Sequence, residues 1–144
     1  MIEQDTIKLL RECDAGIKMG VASIEEVQDH VENGSFRKRL TECKDEHNKL
    51  KDEVQARLSE YQDAGKNPNP MAKTMSWMKT NAMLSMDESD ATIADLMTDG
   101  CNMGVKSLNR YLNQYEAADE HTKDIAKRLI NLEEKLAIDI REYL

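Results

Sequence analysis

The chain has 144 residues, of which 33% are charged and only 4% aromatic, with 2 prolines and 6 glycines. That length suits one well-cored domain spanning residues 1–144, and that composition suits long amphipathic helices while leaving little material for strands, so the expected fold class is all-α. A formal charge of −8 repels phosphate backbones and anionic lipid, so neither nucleic acid nor a membrane is an expected partner.

The start, Met1-Ile2-Glu3-Gln4-Asp5, has neither the basic nor the apolar region of a secretory signal, and no apolar run is long enough to span a bilayer. The 3 cysteines show no C-x-x-C spacing and fit a reducing compartment better than a disulfide framework. A cytoplasmic location and free thiols are the expectation.

Taken in order, Leu10, Cys13, Ile17, Gly20, Ile24, Val27 and Val31 alternate spacings of three and four, the seam of a bundle helix over about residues 3–32. Asn33-Gly34-Ser35 is expected to end it, with Gly34 in the left-handed conformation and Ser35 capping the next helix. Phe36, Leu40, Cys43, His47, Leu50, Val54, Leu58 and Tyr61 carry a second seam over about residues 35–63, antiparallel to the first across a tight turn. Gly65-Lys66-Asn67-Pro68-Asn69-Pro70 is the strong break, followed by an expected short Met-rich crossover helix over about residues 70–84. Its stripe of Met71, Met75 and Met78 either seals the crossover onto its own bundle or offers a surface to a homo-oligomer or protein partner. A third helix is expected over about residues 91–118, with Ala94, Met97, Cys101, Gly104, Val105, Leu108, Leu112 and Tyr115 inward. A fourth, capped by Asp119, is expected over about residues 120–143, with Ile125, Leu129, Leu132, Leu136, Ile140 and Tyr143 inward.

The second half of the chain repeats the first. Cys13-Asp14-Ala15-Gly16-Ile17-Lys18 recurs as Cys101-Asn102-Met103-Gly104-Val105-Lys106, and Ile24 falls on Leu112 in the same register. The second helices align as well, Leu50 on Leu132, Val54 on Leu136, Leu58 on Ile140 and Tyr61 on Tyr143. Both helices of one hairpin have therefore been duplicated, and the expected architecture is two antiparallel hairpins joined by a crossover.

The repeated C-x-x-G-[IV]-K resembles the C-x-x-G-E-[ED] present in both hairpins of small bacterial ferritin-like four-helix proteins. The resemblance implies a ferritin-like up-down four-helix bundle across nearly the whole chain. It also implies a place for two metal ions, held by a glutamate from the first and third helices and by E-x-x-H from the second and fourth. Carried over residue by residue, the glutamates match Ile17 and Val105, or Lys18 and Lys106 if the register slips by one. The E-x-x-H positions match Glu46 with Lys49 and Arg128 with Asn131. The apolar seams supply one imidazole and no carboxylate, so the resemblance implies degenerate di-metal ligands and no di-iron or di-manganese chemistry.

His47 and Cys43 lie one turn apart on an inward face, and antiparallel pairing of the first hairpin brings Gly20 opposite His47. Two readings stand. Cys43 and His47, with neighbouring Glu46, hold a single transition metal such as zinc or haem iron; or His47 is a neutral core histidine bonded to a hydroxyl, carbonyl or water beside an apolar cysteine. On the first reading Cys13 and Cys101 are the only further sulfurs, and they should diverge to opposite sides of the midpoint rather than meet Cys43. Lys18 and Lys106 are expected on a solvated flank. No Ser/His/Asp constellation, phosphate loop or nucleophile elbow is present. The expected function is a non-catalytic binding or structural module without a cofactor; the alternative is a metal-binding or redox protein centred on Cys43 and His47.

Overall fold

The computed structural model describes residues 2–68 and 89–144, which are helical with no strand among them. The long helices are α1 (Ile2–Val27), α2 (Gly34–Glu60), α3 (Asp90–Gln114) and α4 (Glu120–Asp139). The expected crossover helix carrying Met71, Met75 and Met78 lies outside the described residues.

Helix ends depart from the sequence expectation where side chains capture backbone groups. α1 tightens into a 3-10 turn at Gln28–His30, and the next free N–H groups, of Glu32 and Asn33, donate to the two carboxylate oxygens of Asp90 at 2.9 Å each. This contact fastens the first turn to the start of α3. Gly34 is not a left-handed terminator, nor does Ser35 cap: Asn33 is the N-cap, its side chain accepting from Phe36 N at 3.0 Å, so Gly34 becomes the first residue of α2. α2 ends in a Schellman turn with Gln62 at φ 56, Asp63 N donating to Leu58 O and Gln62 N to Ser59 O, both at 3.0 Å. Ser89 caps α3, and Asp119 caps α4 as expected, its carboxylate accepting from Thr122 N at 2.8 Å.

The direction of each helix follows from what its ends touch. The end of α1 meets the start of α3 through Asp90. The start of α1 meets the turn after α3, Asp5 accepting from Ala117 N at 3.1 Å and Thr6 from Asp119 N at 2.9 Å. The end of α2 meets the start of α4 through Arg57 and Asp119 at 2.5 Å, while Phe36 and Tyr143 stack at 4.6 Å at the other end of the same pair. Hence α1 and α4 run one way and α2 and α3 the other; α1 packs on α2 and α3, α4 packs on α3 and α2, and α1 and α4 also meet across the centre of the bundle. α2 and α3 lie diagonally and run parallel, so the end of α2 and the start of α3 stand at opposite ends of the bundle.

The first residues after α2 are pinned to α1. Asp63 takes Arg11 Nε at 2.9 Å, and Lys66 Nζ pairs with Glu12 at 2.5 Å. Lys66 N donates to Asp14 Oδ2 at 3.0 Å. Lys18 is not merely solvated: it pairs with the buried Asp14 at 2.8 Å and reaches the Asn67 side chain at 3.3 Å.

The core falls into two apolar clusters. One holds Leu9, Leu10, Cys13, Ile17, Leu50, Val54, Leu58, Leu108, Ile125, Leu129 and Ile130 with neighbouring alanines. The other holds Ile24, Val27, Val31, Phe36, Leu40, Cys43, Ile93, Ala94, Met97, Cys101, Leu136 and Ile140. On every helix the same residues fall in the gap between them: Gly20 on α1, His47 on α2, Gly104 on α3 and Glu133 on α4.

Candidate functional site

The gap between the clusters is a polar layer at the bundle midpoint. His47 is 1% exposed, and the Glu133 side chain is 12% exposed. Two glycines make the room: a Cβ on Gly20 would come within 2.8 Å of His47 Nε2 and 3.3 Å of Glu133 Oε1. One on Gly104 would stand in ordinary contact with the Glu133 side chain, at 3.6 Å. α1 and α3 thus contribute space, while α2 and α4 contribute the ring and the carboxylate.

Hydrogen bonding fixes the chemistry. His47 Nδ1 lies 2.8 Å from the Cys43 carbonyl oxygen, one turn back on its own helix, and 3.5 Å from Cys43 Sγ. A carbonyl can only accept, so Nδ1 carries a proton. Nε2 lies 2.8 Å from Glu133 Oε1. Burial, the largest effect, opposes charge on the ring; the hydrogen bonds to Cys43 and Glu133 and the charge of Glu133 together outweigh it and raise the His47 pKa to about 10. The expected neutral histidine is therefore an imidazolium, donating from both nitrogens, and its partner is a carboxylate from the other hairpin. Cys101, buried on α3, feels the same carboxylate; burial first, then the Glu133 charge, pushes its thiol well above the ordinary range. Cys13, in the other cluster, is pushed to about 12 by burial and by Glu12 and Asp14.

Of the sequence candidates, Cys43 and His47 are together, but Glu46 is not with them: it faces outward and pairs with Lys49 at 2.9 Å. Cys13 and Cys101 do diverge, yet Cys101 shares a cluster with Cys43, against the expectation that neither further cysteine would approach it. The largest correction is Glu133. It stands one turn after Leu129 and one before Leu136 on the inward seam, but the partly buried Leu132 beside it took that place in the sequence reading. Extending the pairing that sets Gly20 opposite His47 to the duplicated hairpin sets Gly104 opposite Glu133, so the signal was present.

A di-metal centre does not fit these residues. Ile17 is fully buried in apolar surroundings, and Val105 packs against the same cluster. Arg128 is spent on Glu53, with contacts of 2.9 and 2.6 Å. Nor do donors converge on one ion: Cys43 lies at the Nδ1 edge of the ring and Glu133 at the opposite Nε2 edge. Among the described residues no group of three or more His, Cys, Asp or Glu side chains has the geometry to hold a metal. With both nitrogens engaged and the ring enclosed, His47 has no free lone pair to serve as a general base.

A smaller ionic cluster sits outside the layer, where Arg128 and His121 both donate to Glu53, His121 at 3.1 Å. Hydrogen bonds from Arg128 and then His121 lower the Glu53 pKa to about 2. Among the described residues no helix is long and apolar enough to cross a membrane, and the three cysteines form no disulfide.

Fold and site define an all-α four-helix bundle whose midpoint holds an internal imidazolium–carboxylate pair. No protein-family model, curated protein or solved structure matches the chain.

Proposed function

We propose that this chain is a ferritin-like bundle that has exchanged its di-metal centre for an internal ion pair and works without catalysis, as a binding or structural module in a reducing, cytoplasmic setting. Two things support the ferritin-like reading: the duplicated hairpin, and the parallel diagonal pair α2 and α3, with the end of one and the start of the next at opposite ends of the bundle. The observation that carries the functional reading is the 2.8 Å contact of His47 Nε2 with Glu133 Oε1 at the midpoint. There the carboxylate is engaged by the ring, so at the midpoint layer, among the described residues, its charge is already balanced without a cation. For a binding role the sequence offers the Met71, Met75 and Met78 stripe, outside the described residues, whose adaptable side chains suit a second copy or an apolar protein face.

Elemental analysis of protein purified without a His-tag tests this reading, with transition metal expected far below one atom per chain. Near-stoichiometric zinc, iron, manganese or copper, lost on His47→Ala, would replace it with the metal-binding alternative. Light scattering across a concentration series tests the self-association component, which a strict monomer would remove.

A further inference from the structure

Two hairpins descended from one can pair like with like, and a duplicated chain then opens and joins other chains instead of closing on itself. At several inward positions the register sets apolar on apolar, Ile17 on Val105, Val54 on Leu136 and Leu58 on Ile140, and these offer no bar to that exchange. The midpoint layer is different. In the register of the repeat, where Leu50 matches Leu132 and Val54 matches Leu136, His47 matches Leu129 and Glu133 matches Lys51. Neither member of the ion pair has a counterpart in the other copy.

The consequence depends on which hairpins meet. With the first hairpin against the second, the ring of His47 meets the carboxylate of Glu133 at 2.8 Å, and the glycines on α1 and α3 leave room for both. With two first hairpins in the same geometry, each His47 would meet a Lys51 and no carboxylate. With two second hairpins, each Glu133 would be buried against Leu129 and lose its imidazolium donor. Both like pairings strand a charge in the core, which is far costlier than leaving it in water. We propose that His47 and Glu133 form a pairing code that makes the two hairpins specific for each other, so that the chain closes on its own second half. This rests on the duplicated-module reading but not on the loss of metal ligands, so elemental analysis and the test below fail independently.

The test uses full-length chains carrying His47→Glu, Glu133→His or both. Each single variant sets like groups against each other and is expected to lose about 10 °C in Tm. The double variant reverses the pair and is expected to regain the oligomeric state of the unmodified chain with most of that loss recovered; the glycine on each neighbouring helix gives either side space for a ring. The decisive sample is a mixture of the two single variants, unfolded and refolded together. In it the first hairpin of each chain complements the second hairpin of the other, and native mass spectrometry should find a 1:1 heterodimer that neither variant forms alone. Single variants with unchanged Tm would overturn the proposal. So would a mixture without heterodimer alongside a fully recovered double variant, since the pair would then stabilise the bundle without selecting its partner.

Discussion

Gly20 owes its place to the ring it faces. A helix-interior glycine ordinarily costs about 1 kcal/mol relative to alanine, and Gly100, whose added Cβ would meet nothing within 4 Å, illustrates that ordinary case. At Gly20 the same methyl would stand 2.8 Å from Nε2, closer than packed atoms tolerate, and the ring cannot retreat without breaking its bonds to Cys43 or Glu133. Gly100→Ala is therefore expected to stabilise by about 0.5–1 kcal/mol, and Gly20→Ala to destabilise by about 2 kcal/mol. Urea denaturation of both variants checks the opposite signs; a stabilising Gly20→Ala would mean that the ring is not confined as described.

At the scale of elements, one copy of the repeated motif has acquired a duty that the other lacks. In the first copy Asp14 is buried, pairs with Lys18 and accepts the N–H of Lys66, so the beginning of the crossover is held on α1. In the second copy Asn102 and Lys106 are exposed. The close approach also demands Gly65, which has φ +90 and whose added Cβ would collide with the Asp14 carboxylate. Gly65→Ala is expected to release residues 63–68 while leaving the helices folded; hydrogen exchange would show lost protection at Lys66 N with the amides of α2 unchanged. Glu53 ties α2 to α4 more weakly. Its folded pKa of about 2 lies below the unfolded value of about 4.3, so its contribution is present above pH 4.3 and lost as pH falls toward 2. Solvent screening of this partly exposed group limits the contribution to about 1 kcal/mol. Arg128→Ala should remove that amount at pH 7 and little at pH 2, as thermal melts at the two values would show.

What could be read from the residues was the element pattern, because seams such as Leu10-Cys13-Ile17 and Leu50-Val54-Leu58 are long and regular, and all six of those residues are buried. Helix ends were less legible. Asn33 and Gly34 compete for the same turn, and the outcome depends on a side-chain bond to Phe36 N. Half of the candidate site was visible, since an imidazole facing a glycine is unusual in an apolar seam. The other half was hidden because Glu133 follows an apolar residue, and a search for apolar periodicity prefers Leu132.

For the whole molecule, the layer makes stability depend on pH in a way that the charged surface alone would not. The folded His47 pKa of about 10 exceeds the unfolded value of about 6.5. The folded protein therefore holds the extra proton between those values: the contribution is complete below pH 6.5 and is lost as pH rises toward 10. Between them the unfolding free energy should fall by up to about 1.4 kcal/mol per pH unit. Replacing both partners with apolar side chains separates this ionic contribution from packing. Removing one member strands the other and should cost about 3–5 kcal/mol, whereas His47→Met with Glu133→Met fills similar space with nothing left unpaired. The double variant is expected within about 1 kcal/mol of the unmodified protein at pH 7, with the fall toward pH 10 flattened. If its hairpins also begin to exchange between chains, the bundle draws its stability from the two apolar clusters and its choice of partner from the layer between them. A double variant as unstable as either single one would instead make the ion pair a principal source of stability.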